Sequence, residues 1–215
     1  MMNNREINEK KRFLEALKLR SDIKVLRYLG GGNKGEAYLL EDGKVLKIAI
    51  DGEEFSTAMK LKNRKSKHII DIYDGWKFEC VYDEEYSDIL FAIIEEFLDT
   101  TSKKEMIVNF VSVFKHTWFS IYFSDIEPKR NATFDDLDEY MRHPQKHPQA
   151  INVTKQYVVN EGAKYNLKDE FECFYNQLAC AYVELYHNAP NSHLDLNDGN
   201  IGFTSDSVLK VFDMQ

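Results

Sequence analysis

Asp195 and Asn200 stand five residues apart in the string His193-Leu194-Asp195-Leu196-Asn197-Asp198-Gly199-Asn200. A carboxylate and a carboxamide at that spacing on one loop can aim at a common point. The carboxylate can accept or orient the proton of an attacking hydroxyl, and the amide oxygen can ligate a hard divalent cation. Asp213, eighteen residues after Asp195, offers an anionic ligand for such a cation, with Mg2+ the expected ion. The string lies between a long apolar-periodic stretch and a short strand-like one, so it is expected as a loop on a rigid base. The plainer alternative is an Asn/Asp/Gly-rich turn that only joins helix to strand.

Gly30-Gly31-Gly32-Asn33-Lys34-Gly35 is a G-x-G-x-x-G string between two strand-like runs. Glycines at 30, 32 and 35 would let backbone N–H groups approach phosphate oxygens with no side chain in between. The string alone is equally compatible with a flexible hairpin turn, and the next segment discriminates. A dinucleotide-binding loop opens a helix, whereas this one is followed by a strand and an Asp-Gly turn. In Val45-Leu46-Lys47-Ile48-Ala49-Ile50, alternation puts Val45, Lys47 and Ala49 on one face, a cation in an apolar row. A lysine snorkelling from an edge strand explains that placement equally well. His143 and His147 each precede a proline, which argues against a helical metal-binding pair.

The elements that must position these residues follow from periodicity. Residues 4–19 carry Phe13, Leu14, Ala16 and Leu17 among many charges, the pattern of an amphipathic helix. Strands are expected over 23–29, 37–40 and 44–50, the last two joined by Glu41-Asp42-Gly43, whose Asp-Gly pair marks a tight hairpin. A helix over 53–62 precedes strand-like runs at 68–73, 76–82 and 89–98, with an acidic turn at 83–85. The simplest assembly is a five-stranded antiparallel sheet with one helix against it.

Beyond residue 98 the character becomes helical. Residues 106–123 are apolar and aromatic, expected as core in a buried helix or strand pair. Residues 125–149 are polar, hold three of the four prolines and read as a long surface insertion, with the acidic run at 135–139 as a solvated face. Phe171, Phe174, Leu178, Tyr182 and Leu185 mark a helix over 167–187, stopped by Pro190. Residues 201–203 and 208–212 close as a hairpin around a turn at 204–207.

Composition narrows the function classes. The chain has 215 residues, 43% of them hydrophobic and 13% aromatic, enough for one sizeable core or two small lobes. A formal charge of −8, with no basic stripe, argues against nucleic acid as a partner. The polar, charged first 20 residues do not read as a secretory signal, and charged or polar residues interrupt the most apolar stretch, so no membrane span is expected. Cys80, Cys173 and Cys180 are odd in number and form no C-x-x-C pair, so they are expected as reduced thiols in a cytoplasmic protein.

His193-x-Asp195-Leu196-x-x-x-Asn200 resembles the catalytic loop of the protein-kinase-like superfamily, and Asp213 falls where that family keeps its Mg2+-binding aspartate. The glycine string and the Lys47 strand resemble, in the same order, the family's phosphate-covering loop and its V-A-I-K strand. The resemblance implies an ATP-dependent phosphotransferase with ATP and Mg2+ as cofactors. By that likeness Asp195 would act on the acceptor hydroxyl, Asn200 and Asp213 would hold Mg2+, and Lys47 would hold the α- and β-phosphates. Gly30, Gly32 and Gly35 would cover the phosphates, and Val45 would lie against the adenine. Glu54-Phe55-x-x-Ala58-x-x-Leu61 resembles the helix that supplies the partner acid of the lysine, which favours Glu54 and leaves Glu53 open. Residues 93–99 resemble the strand entering the interlobe hinge, where the backbone at Glu96 would meet the adenine edge. Ile94 and Glu95 both stay open as the residue guarding the back of the pocket.

The implied fold is α+β and two-lobed, with residues 1–98 as a nucleotide-binding N-lobe and 99–215 as a reduced helical C-lobe. Leu194 replaces the family's usual arginine, Asn197 stands at the usual lysine, and Asp213-Met214-Gln215 lacks the usual Phe-Gly. No activation loop or A-P-E string follows. A constitutive minimal kinase, similar to short Ser/Thr kinases of phages and bacterial effectors, is expected, acting on a protein in the cytoplasm of a bacterial or phage-infected cell. A truncated fragment of a longer kinase stays open, as do a small-molecule kinase of the aminoglycoside or choline type and a non-catalytic pseudokinase. Oligomeric state is not readable.

Overall fold

The computed structural model describes residues 4–32, 35–83, 86–121 and 134–214. Within these the chain divides into two compact units, one of residues 4–65 and 70–97, the other of 66–69 and 98–214. The first unit is built from α1 (Asn4–Lys18), β1 (Val25–Gly31), β2 (Gly35–Leu40), β3 (Val45–Ala49), α2 (Gly52–Leu61), β4 (Ile72–Val81) and β5 (Ser87–Glu95). The strands form one antiparallel sheet in the order β1-β2-β3-β5-β4. The β2–β3 hairpin turns at Gly43, whose φ of +82° is the left-handed conformation that an Asp-Gly pair supplies.

Both faces of this sheet are covered, rather than the one expected. Leu46, Ile48, Phe78, Leu90, Ala92 and Ile94 on one face pack with Ala16, Phe13 and Leu17 of α1. Phe13 stacks on Tyr38 with ring centroids 4.6 Å apart, and the Trp76 indole N–H donates to the Ala16 carbonyl at 3.2 Å. The other face meets α2, where Phe55 stacks on Phe91 at 4.9 Å. The physical reason lies in β3, where Val45 and Ala49 are buried on one face and Leu46 and Ile48 on the other, so an open face would leave apolar surface in water.

The second unit contains α3 (Lys104–Ile121), α4 (Phe134–Arg142), α5 (Pro148–Lys164), α6 (Lys168–Asn188) and a hairpin of β6 (Ile201–Phe203) and β7 (Leu209–Val211). Its aromatic core joins α3 to α6, with Phe110 meeting Phe171 edge-on at 5.5 Å and Phe174 at 5.6 Å. Residues 104–121 therefore form one helix, burying Ile107, Phe110, Val111 and Phe114 at helical spacing. Of the expected surface insertion, residues 125–133 lie outside the described residues. The rest is not simply surface: α4 buries Leu137, Met141 and Arg142. Leu137 and Met141 are four apart and share a helix face, while the intervening Glu139 is exposed.

The expected strand at 68–73 divides. Ile72 opens β4, whereas Ile69 makes a parallel bridge with Val211 in the second unit. Among the described residues no helix is long and apolar enough to cross a membrane.

Candidate functional site

In the second unit, Ala189 N–H donates to the Leu185 carbonyl at 2.7 Å where α6 ends, and Pro190 cannot extend the helix. Leu194 then pairs with Met214 in an antiparallel bridge. Asp195 follows and Asp213 precedes the two bridged residues, so each lies one residue from that bridge. Asn200, only 8% exposed, donates from Nδ2 to the Asp195 carbonyl at 2.9 Å, and its own carbonyl accepts from Phe212 N–H at 3.0 Å. Asn200 is thus bonded to Asp195 and to Phe212, the residue before Asp213. Asp213 adopts a left-handed backbone, φ +61°, a conformation that costs most non-glycine residues about 1–2 kcal/mol.

Asn197 is explained by the loop's own shape. It caps the single 3-10 turn Asp198–Asn200, its Oδ1 accepting from Gly199 N–H at 2.9 Å. Leu194 is buried against the Met214 segment, an apolar position that would not suit an arginine. β7 is anchored from behind: Leu209 N–H donates to Gln177 Oε1 at 2.6 Å, and Val211 N–H to the His68 carbonyl at 3.0 Å. Glu184 of α6 holds that strand's neighbour, accepting from His68 N–H at 3.0 Å and from the Ser66 hydroxyl.

The donor set suits a hard cation. The nitrogen end of the Asn200 amide is committed to the Asp195 carbonyl, so the end left to ligate is the oxygen. Among the described residues no three His, Cys, Asp or Glu side chains could together hold a metal ion. Mg2+ needs no such cage, since it usually takes one or two carboxylates and completes its shell with water and substrate phosphates.

In the first unit, Lys47 on β3 forms an ion pair with Glu54 of α2, the side chains being 14% and 6% exposed. Glu54, not the exposed Glu53, is the acid that reaches it. Asp51 sets the helix start by accepting from Glu53 N–H at 2.8 Å, which leaves Glu54 in the first turn facing the sheet. Val45 is buried on the same face of β3.

At the glycine string, Gly32 N–H donates to the Gly35 carbonyl at 2.9 Å. Gly35 tolerates no side chain, since a Cβ there would lie 2.0 Å from the Ile48 carbonyl oxygen. Among the described residues, a Cβ at Gly30 or Gly32 would meet nothing within 4 Å, although the Gly32 N–H is already committed to Gly35. Asn33 and Lys34 of the string lie outside the described residues. Glu96 N–H donates to the Asp71 carbonyl at 2.9 Å, so serving a ligand through that N–H would require breaking this bond.

The sequence reading missed Arg142, Glu184 and Gln177, all of which bind main-chain atoms flanking the loop or its hairpin. The usable signal for Arg142 was the Leu137/Met141 spacing, which places a helix end next to it.

No protein-family model matches the chain, and no curated protein matches it either.

Proposed function

We propose that this chain is an ATP-dependent phosphotransferase with a two-lobed, protein-kinase-like fold, transferring the γ-phosphoryl group to a Ser/Thr hydroxyl of a protein. The observation that supports the reading is the bridge between Leu194 and Met214, the sequence neighbours of Asp195 and Asp213, together with the Asn200 amide bonded to the Asp195 carbonyl. The buried Lys47–Glu54 pair adds support, because a phosphate-holding lysine must be kept in place by such an acid.

In this reading Asp195 orients the acceptor hydroxyl and takes its proton as the hydroxyl oxygen bonds to the γ-phosphorus and the bond to the β–γ bridging oxygen breaks, leaving ADP. Asn200 and Asp213 would hold Mg2+, which when bound neutralises phosphate charge. Lys47 and the backbone of Gly30, Gly32 and Gly35 would position the phosphates, and Val45 would lie against the adenine. Positioning and charge neutralisation carry the rate, and little covalent chemistry falls to the protein. Three free thiols suit a reducing, cytoplasmic setting.

Incubation with γ-labelled ATP tests this. Label is expected on protein Ser/Thr, falling about 10²–10⁴-fold in Asp195→Ala and being lost likewise in Lys47→Ala. Transfer to a metabolite with no protein label would select the small-molecule kinase instead. MgATP binding by thermal shift without transfer to any acceptor would mean a binding module.

A further inference from the structure

The loop that carries Asp195 is gripped by a side chain from well outside it. Arg142, the last residue of α4, is 8% exposed, and its Nη1 donates to the Pro190 carbonyl at 3.0 Å. Its Nη2 donates to the Ser192 carbonyl and lies 3.4 Å from His193 Nδ1. Ser192 itself is buried, and its N–H returns to the Ala189 carbonyl at 3.0 Å. The guanidinium therefore spans two carbonyls on the stretch where α6 has ended and the loop has not begun.

The geometry suits a clamp for three reasons. A planar guanidinium presents donors in a fixed fork, so two carbonyls two residues apart can be held at a set separation. Bonds from a charged donor are stronger than neutral ones, and burial strengthens them further. The stretch it holds is buried at Ala189 and Ser192, and Pro190 has no N–H with which to tie it. Past Ser192 the loop is tied at Leu194 to Met214 and at the Asp195 carbonyl to Asn200. Arg142 supplies the upstream tie, and without it the backbone ahead of Asp195 could shift while the downstream ties remain.

We propose that Arg142 is a positioning residue, acting through the Pro190 and Ser192 carbonyls to hold Asp195 in the orientation that the transfer requires. This rests on the phosphotransferase reading above. A misplacement of about 1 Å at a reacting group can cost about 10²-fold in rate, so Arg142→Ala is expected to lower kcat by about that factor while KM for MgATP stays near wild type. Millimolar guanidinium should restore much of the lost kcat by refilling the vacated space. Arg142→Lys, a point charge that cannot fork onto both carbonyls, should remain impaired even where it folds as well as wild type.

The experiment is a kcat-against-KM comparison of wild type, Arg142→Ala and Arg142→Lys, with and without guanidinium, alongside hydrogen exchange over 189–200. The proposal is overturned if Arg142→Ala keeps wild-type kcat, or if kcat and melting temperature fall together with no rescue. If Arg142→Ala does not fold, Arg142→Lys decides: full kcat overturns the proposal, and reduced kcat with unchanged KM supports it. If wild type transfers no phosphate at all, the phosphotransferase reading has failed by itself. Hydrogen exchange then still judges the clamp, which requires faster exchange over 192–197 in Arg142→Lys with α6 unchanged; unchanged exchange there overturns it.

Discussion

Lys47 in the first unit lies against the carboxylate of Glu54, whereas Arg142 in the second lies against the carbonyls of Pro190 and Ser192. Both cations are largely buried, so each must be compensated for lost hydration. The kind of partner separates them. Lys47 and Glu54 are two side chains, and a pair of substitutions can exchange both together. Main-chain carbonyls cannot be substituted, so the Arg142 contact can be changed from one side only. The first device is open to compensation during divergence, and the second is not.

Glu54→Leu gives the largest expected effect on stability. It leaves the Lys47 charge buried beside an apolar residue, which costs about 3–5 kcal/mol, read from the urea midpoint. Adding Lys47→Met should recover most of that stability. A double variant no more stable than Glu54→Leu would break the comparison, since it would mean that the pair is not an exchangeable unit.

Asn197→Ala sharpens the other side at a smaller scale. It removes a side chain that caps the loop's 3-10 turn on main-chain N–H, and a loss of about 1 kcal/mol is expected. Asn197→Asp keeps the accepting oxygen and should stay close to wild type in the same denaturation experiment.

The smallest effect belongs to an ion pair at the surface of the first unit. Lys62 at 2.7 Å, then Arg20, push the Asp74 carboxyl down to about 2 from an ordinary 3.8. A depressed carboxyl stabilises the fold above its unfolded value, so this contribution is present above about pH 4 and fades as pH falls toward 2. The side chain is about one-third exposed, so the effect is small and weakens with salt. Asp74→Asn should flatten the acid limb of the stability profile in low salt, and an unaltered limb would remove Asp74 from the account.

The contrast between the two cations also explains what could be read in the sequence. The meeting of Lys47 with Glu54 was expected from resemblance: strand alternation placed the lysine on its face, and likeness to the kinase-type helix named the acid, with Glu53 left open. The β2–β3 hairpin and the long α6 were legible from the Asp-Gly pair and from apolar spacing. Arg142 was not, because the carbonyls it grips are groups that every residue carries, and because acidic neighbours masked the face made by Leu137 and Met141. The second covering helix was misjudged because alternation identifies which residues share a face, but not whether both faces are closed. Within the four residues 66–69, His68 and Ile69 read as part of a strand because an apolar run looks the same whichever sheet it joins.

Those four residues have a practical consequence for dissecting the molecule. Ile69 is fully buried and His68 nearly so, in contacts with β7 and α6, yet both are encoded between α2 and β4. Neither unit can therefore be excised as one contiguous gene fragment. A cut after Phe97 would strand an isoleucine on the wrong polypeptide and leave the closing hairpin without its lateral neighbour. Any split version or domain swap would have to graft that short stretch along with the segment it serves.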